Sequence, residues 1–132
     1  MKNKNILVTG GLGFIGSHFI ELLYKKCKNC KITIIDSYAY CVSKKTEDYL
    51  WDMYEKSSNE LDIIYESISD FKLDKEYDYI VNFAAESHVD NSIKAGDIFI
   101  DSNYVGVYEL LKQLSDSTRF LQVGTDEVYG SL

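Results

Sequence analysis

The chain has 132 residues, 45% of them hydrophobic and 27% charged, the size and balance of one folded domain rather than a disordered tail. Its net charge of -7, from 14 basic and 21 acidic residues, has the wrong sign for a nucleic-acid groove. No apolar run approaches the ~18 residues of a membrane-spanning helix, and the N-terminus shows no signal-peptide pattern. Three cysteines cannot all pair, so a reduced, cytoplasmic setting is expected.

In chain order, residues 4–9 read as a buried first strand, after which Phe14, Ile15, Phe19, Ile20, Leu22 and Leu23 recur at helical spacing. Residues 32–36 form a second strand rich in β-branched residues. The polar stretch 43–60 contains a short helix with Tyr49, Leu50, Met53 and Tyr54 on one side, and residues 62–65 are a weaker third strand. Residues 79–84 are almost continuously apolar, as strands covered on both faces are. A longer helix over 97–115 is expected to bury Ile100, Tyr104, Val107, Tyr108, Leu111 and Leu114, and residues 120–124 form a fifth strand. Strands alternating with helices imply an α/β fold, a Rossmann-like doubly wound parallel sheet of order 3-2-1-4-5. Ligands bind such a sheet at the carboxyl ends of strands 1 and 4, where the order reverses. A complete fold of this kind adds a sixth strand and a substrate domain. Residues 1–132 therefore read as the N-terminal part of a dinucleotide-binding domain, incomplete at its C-terminal edge.

The turn after strand 1 is Gly10-Gly11-Leu12-Gly13-Phe14-Ile15-Gly16, which satisfies G-x-G-x-x-G through Gly11, Gly13 and Gly16 and a wider pattern through Gly10, Gly13 and Gly16. Glycines there allow a tight turn, close backbone approach to a pyrophosphate and close helix–strand packing. Asp36 ends strand 2 twenty residues after Gly16, where a carboxylate accepts hydrogen bonds from an adenosine ribose. It also repels a 2′-phosphate, and the following Ser37 is no arginine, so NAD is expected over NADP. Cys27-Lys28-Asn29-Cys30 is a C-x-x-C, but it precedes a strand and lacks a second ligand pair. No metal is expected; His18 is expected to pack in the first helix and His88 to border the cofactor pocket. The clusters Tyr38/Tyr40 and Tyr49/Trp51/Tyr54 are expected in the core or lining a pocket.

Three stretches together carry a resemblance: residues 9–17, then Ala84-Ala85-Glu86-Ser87-His88-Val89-Asp90-Asn91-Ser92-Ile93, then Thr125-Asp126-Glu127-Val128-Tyr129-Gly130. The chain resembles the dTDP-glucose 4,6-dehydratases, NAD-dependent extended short-chain dehydrogenase/reductases acting on nucleotide sugars. The resemblance implies that Phe14 and Ile15 offer backbone contacts to the pyrophosphate. It implies that Phe83, Ala84, Ala85, Glu86 and Ser87 follow the ribose and nicotinamide, with Ser87 also reaching substrate, and that Ser102 lies beside the nicotinamide. Ser67 and Ile68 fall where the family carries Asp-Ile against the adenine, which removes one expected hydrogen bond. Glu127 is implied as the base that takes the sugar C5 proton, Asp126 as the acid for the departing C6 hydroxyl, and Thr125 as a hydroxyl binding substrate near C4. The family's Tyr-x-x-x-Lys pair belongs on the helix after strand 5, beyond Leu132, so this chain is expected to bind cofactor without turnover. The family dimerises through a four-helix bundle to which helix 97–115 would contribute, which leaves dimerisation of this chain open. Two alternatives stand beside the dehydratase: an epimerase or decarboxylase of the same superfamily, against which Asp126-Glu127 argues, and an NAD-binding half-domain without catalysis.

Overall fold

A computed structural model describes residues 1–39, 42–86 and 96–130, without the side chains of Asp126 and Glu127. Five strands form one parallel sheet in the order β3-β2-β1-β4-β5. They are β1 (Asn5–Thr9), β2 (Lys31–Ile35), β3 (Glu60–Ile64), β4 (Tyr79–Asn82) and β5 (Arg119–Gln122). Helix α1 (Phe14–Lys26) links β1 to β2, and α2 (Lys44–Glu55) links β2 to β3. Helix α3 spans residues 96–112, α-helical over Gly96–Ile100 and Val107–Lys112 but π-helical over Asp101–Gly106. A 3-10 turn, Asp126–Tyr129, follows β5.

Strands β1, β2 and β4 are buried on both faces because both are covered, whereas β5 is largely exposed. Ile6 and Val8 of β1 face the same way as Ile32 and Ile34 of β2, and with Leu12, Ile20, Leu23 and Leu50 they form one buried cluster beneath α1 and α2. Leu7, Ile35 and Ile80 face the opposite side and join Ile68, Phe71, Tyr77 and Leu110. Pairing Ile6 with Ile32 and Val8 with Ile34 keeps each strand's alternation on the correct face. At the amino ends of the strands, Asp78 accepts from the Lys4 ammonium at 2.6 Å and from the Asn5 N–H at 2.9 Å.

The sheet order agrees with the sequence expectation; several faces do not. Phe14 is 82% exposed and Ile15 and Leu22 are also exposed, because α1 turns Ile20, Leu23 and Tyr24 inward instead. His18 is exposed rather than packed inside, its ring against Phe14 and its Nδ1 on the Phe14 carbonyl at 2.8 Å. Tyr49 and Trp51 are exposed on α2, which buries Leu50. The largest correction is α3. Ile100, Tyr104, Tyr108 and Leu111 are exposed, while Gly106 and Leu110 are buried and Val107 and Leu114 pack beside them. The helix carries two apolar stripes, and the narrower one, with glycine in it, is the one that can approach the sheet. Cys27 and Cys30 are buried free thiols, tied to Asn59 through the Cys27 carbonyl and the Cys30 N–H. Burial pushes the Cys27 thiol up, which makes it a poor nucleophile. Among the described residues, no helix is long and apolar enough to cross a membrane.

Candidate dinucleotide site

The site begins where β1 ends. Gly10 has φ 64°, a left-handed conformation that a side chain disfavours, and a Cβ there would stand 2.7 Å from the Ala84 nitrogen. A Cβ on Gly16 would stand 2.2 Å from the Gly10 carbonyl oxygen, so only glycine lets α1 start this close to the turn. Gly13 is the N-cap of α1; no side chain caps it, and no acid lies in the first turn. The leading N–H groups of α1 therefore keep the positive end of the helix for an anion.

Asp36 stands at the tip of β2, buried. One carboxylate oxygen accepts from the Leu12 N–H at 3.0 Å, inside the glycine turn, and the other from the Tyr38 N–H at 3.0 Å. Tyr38 takes φ 55° to make that contact. Burial raises the Asp36 carboxyl above its usual value, and the Leu12 and Tyr38 N–H groups oppose that shift. The residue therefore clamps the phosphate turn, and each oxygen keeps a lone pair for a further donor.

Across the switch point, Thr9 donates its hydroxyl to Asn82 Oδ1, and Asn82 Nδ2 donates to Gln122 Oε1 at 2.8 Å. This polar ladder, buried at Thr9 and Asn82 and exposed at Gln122, crosses the carboxyl ends of β1, β4 and β5. The Ala84 N–H also reaches Thr9 Oγ1 at 3.4 Å, which holds the exit of β4 over the turn. Farther along, Asn103 clamps Glu86 from both sides: its Oδ1 accepts from the Glu86 N–H at 2.8 Å, and its Nδ2 donates to the Glu86 carbonyl at 2.9 Å.

One cleft results. It gathers Gly10, Gly13, Asp36, Ser37, Ser67, Ile68, Phe83, Ala84, Ala85, Glu86 and Ser102, all expected from the sequence, together with Ile35, Ala39 and Glu66, which were not. Ile35 and Glu66 were legible as neighbours of Asp36 and Ser67; Ala39 carried no signal. Gly16 shapes the turn from behind, whereas the Phe14 and Ile15 side chains point to solvent. Ser87, Tyr40 and His88 lie outside the described residues, as do the side chains of Asp126 and Glu127. Thr125 is exposed after β5 and does not line the cleft.

A glycine turn that a Cβ would fill, feeding an uncapped helix beside a buried acid, belongs to the dinucleotide-binding class of doubly wound α/β proteins. Within that class, the model of the GDP-mannose 4,6 dehydratase family matches residues 7–132, and the chain belongs to that family. A dTDP-glucose 4,6-dehydratase of Mycolicibacterium smegmatis is 35% identical over 132 residues, covering 96% of this chain and 38% of the relative. A crystal structure of the dTDP-glucose 4,6-dehydratase of Streptomyces venezuelae, solved with NAD bound, superimposes with a TM-score of 0.80 at 36% identity, over 97% of this chain and 41% of that one. A UDP-glucose-4-epimerase of Stenotrophomonas maltophila, also with NAD, gives 0.79 at 25% identity, over 98% and 39%. The chain thus spans less than half the length of the relatives it matches.

Proposed function

We propose that this chain binds NAD in the cleft at the β1–β4 switch point and supplies the cofactor-holding part of a nucleotide-sugar 4,6-dehydratase acting on dTDP-glucose. The observation that carries the reading is the convergence of the glycine turn, Asp36 and the β4 exit on one cleft. Redox capacity, uptake of a hydride from sugar C4 and its return at C6, is what the dinucleotide supplies when bound. The N–H groups of α1 would hold its pyrophosphate, Asp36 would accept from the adenosine ribose, and residues 83–87 with Ser102 would flank the remainder. Thr125 would bind the sugar near C4. Glu127 would take the proton from C5 while Asp126 protonates the C6 oxygen, so that the C5–H and C6–O bonds break and water leaves.

The exposed stripe of Ile100, Tyr104, Tyr108 and Leu111 supports dimerisation through α3. The likeness to a UDP-glucose-4-epimerase favours a second reading, a C4 epimerase, which the pair Asp126-Glu127 argues against. The test has two parts. Calorimetry of the chain should show NAD bound more tightly than NADP, with Asp36→Ala costing about 1–3 kcal/mol as a lost charge-assisted hydrogen bond. Affinity should also fall on acidification, at a pH above that at which an exposed aspartate titrates. In the active enzyme containing this chain, Glu127→Gln should let NADH accumulate in a single turnover. Equal or tighter NADP binding would defeat the cofactor assignment, and unchanged elimination in Glu127→Gln would defeat the role given to that carboxylate.

A further inference from the structure

The wall of the cleft beyond Asp36 includes Ser67 and Ile68, and Ser69 behind them is wired to α3. Ser69 Oγ donates to Asp101 Oδ2 at 2.9 Å. Ser67 Oγ and Ser69 Oγ are 2.9 Å apart, and the Ser69 N–H approaches Ser67 Oγ at 3.4 Å. A hydroxyl has one hydrogen, and an ionised carboxylate only accepts. Ser69 has given its hydrogen to Asp101, so the contact between the two hydroxyls is donated by Ser67. The Ser67 oxygen then has no hydrogen left and turns only lone-pair density toward the cleft it lines.

Two features of α3 build this chain. A Cβ on Gly106 would stand 2.4 Å from Ile68 Cγ1, so glycine allows the helix to press against the turn. Asp101 and Gly106 open and close the π-helical segment. At the ~3.6 residues per turn of an α-helix, positions five apart diverge widely, whereas i→i+5 winding brings them to nearly the same side.

We infer that Asp101, acting through Ser69, fixes Ser67 Oγ as a hydrogen-bond acceptor that selects a purine bearing a 6-amino group, so that an adenine dinucleotide is bound in preference to its 6-oxo analogue. The inference rests on the cofactor reading above. It also revises the sequence expectation that Ser67, standing where the family carries aspartate, simply loses a hydrogen bond: a carboxylate stands on α3 beyond the Ser69 hydroxyl, and its acceptor character is relayed. An amino group donates to such an oxygen; a 6-oxo group presents a second acceptor and is repelled. Asp101 is a positioning residue here and need not touch the ligand.

Calorimetric titration of the chain with NAD and with nicotinamide hypoxanthine dinucleotide tests this. The parent should prefer NAD by about tenfold. Asp101→Ala frees the Ser69 hydrogen to point at Ser67, and Ser67 to donate outward, so the preference should fall toward unity with NAD still binding. Ser67→Ala should abolish the preference as well. Thermal melts of both variants should match the parent, since Asp101 is exposed and Ser67 is only half-buried. If NAD binds but the parent shows no preference, or if the preference survives either substitution, the relay is refuted while the cofactor reading stands. If neither dinucleotide binds the parent, both are refuted.

Discussion

Replacing Gly10 with alanine puts the reasoning about the turn under direct strain. At φ 64° an L-residue costs about 1–2 kcal/mol. Its Cβ would also lie 2.7 Å from the Ala84 nitrogen, 2.8 Å from the Ala84 Cα and 2.8 Å from the Phe83 carbonyl carbon. These are backbone atoms pinned by β4 pairing and by the Thr9 contact, so they cannot swing aside as a side-chain tip would. Overpacking of that kind costs about 1–3 kcal/mol. The lower chain entropy of unfolded alanine returns about 0.4–1 kcal/mol. The net loss is about 1–5 kcal/mol, centred near 3, which is a large share of the ~5–15 kcal/mol that holds a domain together. Urea denaturation followed by circular dichroism should show the midpoint lowered by about 1.5 M, for a slope near ~2 kcal/mol per molar. Gly96→Ala is the internal control: nothing lies within 4 Å of its added carbon, and stability should change by less than about 1 kcal/mol. If Gly10→Ala unfolds at the parent's midpoint with an unchanged slope, the account of the turn is wrong.

Two further substitutions probe the ends of the sheet. Asn82→Ala removes the middle of the ladder and strands the buried Thr9 hydroxyl, while the exposed Gln122 turns to solvent, an expected loss of about 1–3 kcal/mol in the same denaturation assay; a neutral outcome would mean that the ladder is not a stabilising network. For Asp78, the Lys4 hydrogen bond foremost and then the Asn5 N–H hold the carboxyl below the ordinary carboxylate range. Its stabilising effect is thus present above the unfolded pKa of about 3.9 and fades as pH falls through the lower folded value. Melting temperatures of parent and Asp78→Asn should differ at neutral pH, begin to converge below about pH 4 and meet once the pH has passed the lower folded value; a gap that stays constant into strong acid would contradict this.

What was legible in the sequence is what local pattern determines. Continuous apolar runs such as Ile6-Leu7-Val8 and Ile32-Thr33-Ile34-Ile35 mark strands covered on both sides, and their alternation with helices sets the sheet order. The glycine turn and Asp36 were legible because each follows a strand, at the spacing a pyrophosphate and a ribose require. What was not legible depends on which of two apolar stripes a helix turns inward. In α3 the choice fell to Gly106 and Leu110 because a glycine stripe packs closer, and periodicity weighs Tyr104 and Tyr108 equally. The Asn103–Glu86 clamp and the Asp101–Ser69–Ser67 chain also left no trace, since each joins residues 17 to 34 positions apart through one helix. Asparagine, serine and aspartate in a surface helix look like solvated positions until the π-helical winding aims them.

The sheet divides the interior into two unequal compartments. On one side α1 buries Gly16, Ser17, Ile20, Leu23 and Tyr24, while on the other α3 buries only Gly106 and Leu110. Local opening is cheapest where the least apolar surface must be exposed. Amide protons of α3 should therefore exchange with solvent well before those of α1. That thinly anchored helix places Ser102 in the cleft and braces two other parts of its wall, through Asn103 on Glu86 and Asp101 on Ser69. A ligand spanning from the α1 terminus to this wall would be tied to the firm compartment at one end and would quiet the loose one at the other, so occupancy of the cleft should be readable as slowed exchange across residues 101–112.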